Sequence, residues 1–220
     1  MTAAAPSERT RVRRLPDRGV YDRAAIHAIL DEAFVCHVGF VAEGQPFVIP
    51  CVYGRVGERL YLHGSSGSRM LRSLADGNPV CVEVTLVDGL VLARSAFHHS
   101  LNYRSVVVLG RAARIDDAEE RLAALRAIVE HVLPGRWQAS RRPSAAELAQ
   151  TLVVALPLGE SSAKVRTGGP KDDAEDLALD VWAGTVPLAL VAGKPVGDAQ
   201  LRDGIEPPDA ALHYVRPTRR

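Results

Sequence analysis

The residues best suited to chemistry stand together at 63–69: His63, Gly64, Ser65, Ser66, Gly67, Ser68 and Arg69. Glycine lets a backbone approach an anion closely, serine donates from hydroxyl and amide, and arginine adds a fixed charge. A helical pattern begins at about residue 66, and its first-turn N–H groups point at the same place. These groups together predict a phosphate site. The alternative is a plain polar turn with a serine cap. His63 alternates with Tyr61 and Arg59, opposite Leu60 and Leu62, which places it on a polar strand face beside the loop.

Two further clusters follow. Residues 94–105 gather His98, His99, Asn102, Tyr103, Arg104 and Ser105 between two apolar runs, as a substrate or cofactor rim would. Adjacent histidines on a strand point to opposite faces, and no carboxylate or cysteine stands at ligand spacing, so no metal site is expected. Residues 161–170 hold Lys164 and Arg166 two apart, on one side of an extended chain. They read as a second clamp on the same phosphate, as a contact to a neighbouring subunit's ligand, or as a solvated loop. Trp182 precedes Gly184, which permits a flat ring to approach, although a lone tryptophan also suits a core. GxSxG is absent and no paired carboxylates stand out.

The elements that must position these residues are mostly strands. Apolar runs at 33–41, 46–56, 59–63, 80–87, 90–96, 104–115 and 151–158 have strand character, with Glu43-Gly44, Gly57-Glu58 and Asp88-Gly89 as hairpin turns. Helices are expected after Asp22, over 66–76, over 117–132 with Leu122, Leu125, Val129 and Val132 on one face, and from Ser144. Residues 1–8 read as disordered and 9–18 as a basic arm that is loose or folded over a site. A domain over 9–201 includes a loop-like extension from about 159, and 202–220 form a polar tail. Closely spaced antiparallel strands with a few inserted helices predict a mainly β protein built on a small closed barrel. No GxGxxG follows the first strand, which argues against a dinucleotide-binding parallel sheet.

Composition narrows the class. A net charge of +1 argues against nucleic-acid and membrane-surface binding. No apolar run is long enough to cross a membrane, and no secretory signal is seen. Cys36, Cys51 and Cys81 lie in apolar runs without a CxxC pair, as reduced cytoplasmic thiols would.

With these motifs in order, the chain resembles the pyridoxamine 5′-phosphate oxidase-like split β-barrels, in the flavin-nucleotide-binding branch that holds nitroimidazole-reductase-type proteins. The resemblance rests on 50–53, 61–69, 97–105, 162–166 and 181–184. It implies a six-stranded Greek-key barrel, a homodimer, and FMN at the dimer interface. It further implies that Gly67, Ser68 and Arg69 hold the flavin phosphate, with Gly64, Ser65 and Ser66 in the same loop. Pro50, Cys51, Val52 and Tyr53 would flank the ring through backbone groups. His63 would lie beside the ring as the candidate catalytic residue. Tyr103, Arg104 and Ser105 would border the cleft, and Trp182 is counted among the cofactor contacts.

Two departures bear on function. Oxidases proper follow the phosphate arginine with lysine, whereas Met70 stands here, and Lys164 or Arg166 is the expected substitute charge. The chain ends Pro-Thr-Arg-Arg and lacks the arginine-rich segment that binds the vitamer phosphate, so pyridoxamine phosphate is not the expected substrate. The expected activity is an FMN-dependent oxidoreductase acting on a small molecule. A non-enzymatic flavin binder or redox sensor, an F420-binding barrel, and a haem- or metal-binding barrel using His63, His98 or His99 are the alternatives.

Overall fold

β-Branched residues alternating with polar ones dictate most of the chain, and short turns fold it back on itself. A computed structural model describes residues 7–216. It begins with β1 (Gly19–Val20), α1 (Arg23–Glu32), β2 (Val35–Ala42), β3 (Gln45–Val56), β4 (Arg59–Ser65), α2 (Arg69–Ala75), β5 (Pro79–Leu92) and β6 (Ser100–Arg111). It continues through β7 (Ala113–Arg114), α3 (Ala118–Val132), α4 (Arg136–Ala139), α5 (Ala145–Gln150), β8 (Thr151–Pro157), β9 (Ser161–Arg166), β10 (Gly184–Pro187) and α6 (Asp209–Leu212). Positive φ at both Glu43 and Gly44 (53° and 75°) makes the β2–β3 turn a tight two-residue hairpin, as its sequence predicts.

All pairings are antiparallel, in the order β1-β9-β6-β5-β2-β3-β4-β8-β7, with β10 on β5. β8 and β9 stand near opposite ends of this path, yet only residues 158–160 join them. So short a link requires the sheet to curl until its ends meet, which makes a barrel. Leu60, Leu62, Val82, Val84, Val108, Val154 and Leu156 point inward and are almost wholly buried. Each contributes about 1.5–3 kcal/mol by leaving water. A second, smaller cluster lies outside the barrel wall, where Tyr61, Val153 and Ala155 meet Leu125 and Ile128 of α3.

Several expectations are revised. Where six strands were expected, the path holds seven of six residues or more, and β9 had been read as loop. Asp88-Gly89 is no hairpin: β5 runs through it as one strand with a register shift between Val87 and Gly89. The bulge needs glycine because β10 pairs with β5 there, with the Val186 carbonyl oxygen 2.9 Å from where a Cβ would stand. α2 begins at Arg69 rather than 66, capped by Ser68. On α3 the buried face is Ala124, Leu125 and Ile128, while Leu122 and Val132 are exposed. Asp117 caps that helix, but Glu120 turns to Arg59 and Tyr61 instead of closing the box. Of the segment read as disordered, residues 1–6 lie outside the described residues, and Ser7 donates to Glu160 at 2.8 Å. Residues 9–18 are tied down by Val12 N–H on the Tyr21 hydroxyl and by β1 pairing with β9.

β3 divides its pairing. Residues 45–52 pair with β2, and only 53–56 pair with β4. The hairpin register makes Ala42–Gln45 a hydrogen-bonded pair, so the backbone groups of Pro46, Val48, Pro50 and Val52 point away from β2, into the gap toward β4. Proline at two of these four positions removes N–H groups that would otherwise face an open edge. Tyr53, fully buried at the pivot, donates its hydroxyl to the Leu30 carbonyl at the end of α1.

The tail also docks. Arg216 lies over the Phe34 ring at 4.0 Å and donates to the carbonyls of Asp31, Glu32, Ala33 and His131. These carbonyls stand at the C-terminal ends of α1 and α3, where a cation is favoured. The polar tail expected from 202 onward is therefore anchored at Arg216.

Two measurements check this packing. α3 crosses β3 so closely that a Cβ on Gly54 would stand 2.7 Å from the Ile128 amide nitrogen. Gly54→Ala should cost about 1–3 kcal/mol through overpacking, read as a lower denaturation midpoint at constant m. Burial, helped by Arg216, holds His131 neutral with its pKa lowered to about 4. The unfolded chain takes up that proton from about pH 6.5 downward, while the folded protein does so only near pH 4, so stability should fall as pH drops through this window. His131→Gln should flatten the slope.

Candidate functional site

The Gly/Ser loop joins β4 to α2 and is largely self-satisfied. Ser66 N–H donates to the Gln150 carbonyl, Gly67 N–H to the Ser65 hydroxyl and Ser68 N–H to the Ser65 carbonyl. The Ser68 hydroxyl accepts from Leu71 N–H. Fewer loop amides are therefore free than the sequence suggested; the first-turn groups of Arg69 and Met70 remain. Arg69 makes no ion pair or hydrogen bond among the described residues, and its guanidinium rests on the Phe47 ring at 4.0 Å. Gly67, Arg69, Arg72, Ser73 and Asn78 share a cavity of about 620 Å³ bounded by the β2–β3 turn. Arg72 also borders a second cavity of about 360 Å³, with Arg114, Arg121 and Ser66. The linings also hold carboxylates, Asp76 in both cavities and Glu43 in the larger, but Arg69, unpaired among the described residues, leaves one guanidinium open to phosphate oxygens.

The ring-flanking candidates stand along the β3 split. Pro50 and Val52 are exposed on the outer face, and their backbone groups point into the gap. Continuing the β3–β4 register past Tyr53–Leu62 would set His63 beside Val52, at the same gap. His63 also opens onto a cavity of about 480 Å³ walled by Leu125, Ile128, Val129 and Trp137, with Arg141 and Glu147 among its lining residues. Its ring reaches solvent, but this crowding lowers its pKa, so it is neutral at pH 7. Cys51 is half-buried opposite Cys36, whose thiol burial pushes up to about 12, and Cys51 is raised as well. Both behave as inert core thiols. The Tyr53 side chain faces the core and leaves only its backbone near the split.

The other candidates are not brought to this loop within one chain. Lys164 and Arg166 lie on β9, separated from β3 by β6, β5 and β2. Arg166 is buried and donates to Asn102 Oδ1 and to the carbonyls of Gly168 and Gly169; desolvation lowers its pKa. Arg104 is held by Glu32 at 2.5 and 2.8 Å and by Asp88 at 2.7 and 2.9 Å. Ser105 donates to the Lys164 carbonyl, and Tyr103 is half-buried beside Arg166. Trp182 is exposed with its ring edge over Gly184. His99 accepts from Ala93 N–H, and His98 faces Asp173. Sequence reasoning missed Phe47, Arg72, Arg114 and Arg121. The spacing of Arg72 three after Arg69, on one helix face, was a legible signal; the others come from distant elements.

Arg104 separates two roles by experiment. Arg104→Met strands the buried Glu32 carboxylate and should cost about 3–5 kcal/mol of stability. A cofactor contact would instead show as lost ligand affinity at unchanged stability, so urea melts with and without flavin decide it.

Comparison with known proteins agrees with this geometry. A family model described as pyridoxamine 5′-phosphate oxidase matches residues 22–165. The flavocytochrome Anf3 of Azotobacter vinelandii is 41% identical over 94% of this chain and 97% of its own, with a TM-score of 0.89. An FAD- and haem-binding protein of Mycobacterium smegmatis is 37% identical over 88% of this chain and 95% of its own, with a TM-score of 0.84. A candidate 5-nitroimidazole antibiotic resistance protein of Bacteroides thetaiotaomicron is 27% identical over 67% of this chain and 86% of its own, with a TM-score of 0.57. No curated protein matches. The matched family and the barrel agree, and the chain belongs to the pyridoxamine 5′-phosphate oxidase-like split-barrel family.

Proposed function

We propose that this protein binds a flavin nucleotide and works as a flavin-dependent oxidoreductase on a small molecule. The observation that carries the reading is the unpaired Arg69 beside the open β3 split. Arg69 and the first-turn amides hold the phosphate. The backbone groups of Val48, Pro50 and Val52 face the donors and acceptors along the edge of the ring. A bound flavin supplies the redox chemistry; the protein supplies position and electrostatics. Neutral His63 donates through one ring nitrogen and accepts through the other, so it can orient a substrate or relay a proton at the ring. The exposed outer face carrying Val35, Val41, Val48 and Val52 supports a homodimer that closes over the cofactor.

The same residues leave FMN and FAD to be told apart. FMN needs one phosphate cavity, whereas FAD carries a second phosphate. The adjoining pocket adds three guanidinium groups for a second phosphate, although Arg72 already donates to the Ser66 carbonyl, Arg114 pairs with Asp116 and Arg121 donates to the Leu148 and Thr151 carbonyls, so their remaining N–H groups would have to serve it. A haem reading has its own support. His63 is an imidazole with a lowered pKa at an apolar-walled cavity, which suits an axial ligand; Arg141 in the same lining is already paired with Glu147 at 2.6 and 2.8 Å. Two similar proteins are named as a flavocytochrome and as an FAD- and haem-binding protein.

The absorption spectrum of the purified protein, alone and after addition of FMN, FAD or hemin, tests these readings. Bands near about 370 and 450 nm are expected on flavin binding. Arg69→Gln should weaken flavin about tenfold or more, as for a lost hydrogen bond to a charged group. Arg72→Gln should weaken FAD more than FMN. A Soret band that disappears in His63→Ala supports haem at this cavity. No flavin uptake by the wild-type protein overturns the proposal.

A further inference from the structure

We infer that His98, Asp173 and Asp176 form a divalent-metal site that clasps the C-terminal extension to the β5–β6 connection. One ligand atom from each lies within 4.8 Å of the others, and the His98 Nε2 to Asp173 Oδ2 distance is 3.1 Å. That spacing is the ligand–ligand edge of a small coordination sphere; modest side-chain rotation brings all three to the 2.0–2.2 Å reach of zinc.

The site is assembled by two short 3₁₀ turns far apart in sequence. The turn at Ala96–His98 is capped by the Ser95 hydroxyl and presents His98. His99 points the other way and is occupied by Ala93 N–H, so the two histidines do not compete for one ion. The turn at Ala174–Ala178 follows Asp173. Residues three apart eclipse on a 3₁₀ turn, which brings Asp173 and Asp176 to one side.

Two details favour a cation at this cluster. Asp173 occupies the cap position of its turn but makes no cap hydrogen bond; its carboxylate faces His98 instead. Aspartate at that position normally accepts a backbone N–H. Neither carboxylate is paired with lysine or arginine among the described residues. The nearby Arg94 is taken by the neighbouring Asp172, whose two oxygens accept from the Arg94 amide and guanidinium at 2.9 and 2.8 Å. That pair fixes the two turns against each other without neutralising the site.

One imidazole and two carboxylates without sulfur suit a borderline divalent ion such as Zn²⁺ or Mn²⁺, rather than Cu(I). The clasp holds the chain where it leaves β9, and this inference is independent of the flavin reading.

Calorimetric titration of tag-free, chelator-treated full-length protein with Zn²⁺ tests the site. One saturable equivalent is expected, weakened at least tenfold in His98→Ala and in Asp176→Asn. His37→Ala, which removes an exposed histidine beside Glu83 elsewhere on the surface, should bind as the wild type does. Zn²⁺ should also raise the melting temperature of the wild type and not of His98→Ala. Absence of a saturable site in the wild type overturns the inference, as does equal binding by His98→Ala and Asp176→Asn, whatever the flavin content.

Discussion

One strand serving two partners shapes the rest of this molecule. β3 gives its first eight residues to β2 and its last four to β4, and it changes partner between Val52 and Tyr53. The backbone groups of alternate residues 46–52 are thereby left pointing into a gap, an arrangement that would invite edge-to-edge aggregation in an ordinary sheet. Proline at 46 and 50 removes two of the exposed donors. Tyr53 holds the pivot through its buried hydroxyl on the end of α1, and Gly54 lets α3 close down directly beyond it. The gap is therefore held open by the same contacts that close the core.

The end of α1 is the second organising point. Arg55 grips Asp31 with two hydrogen bonds of 2.7 Å, Arg104 grips Glu32, and Arg216 takes the last carbonyls. Three arginines that a reader of the sequence could assign to a ligand instead tie strands and tail to one helix terminus. Arg69 differs by having no such partner among the described residues. In an arginine-rich chain the informative guanidinium is the one whose hydrogen bonds are not already spent on the protein itself.

His63 shows how partial desolvation by neighbours lowers the pKa of a ring that still reaches solvent. Apolar neighbours from α3 and Trp137 disfavour the imidazolium, so the ring meets a ligand as a neutral donor–acceptor. Both the flavin and the haem reading use that state, which is why ligand spectroscopy separates them and pH alone does not.

Local patterns determined much in advance. Alternation at Val80, Val82 and Val84 fixed the inner face of β5 and Glu43-Gly44 fixed a hairpin, because strand period and turn chemistry act over a few residues, whereas the start of α2 was read three residues early, among serines that could each have capped it. The Gly67-Ser68-Arg69 loop was legible for the same reason. Tertiary structure alone decided which cations face it. Arg114 and Arg121 reach the neighbouring cavity from β7 and α3, while Lys164 and Arg166 stand on β9. The sequence could not tell that Asp88-Gly89 is a bulge, since the β10 strand that pairs there and demands it lies about a hundred residues away. Nor could it bring Asp173 and Asp176 to His98. Spacing along a chain reports a site only when its ligands share one element, and here the barrel's closure and the docking of the C-terminal extension supply the proximity.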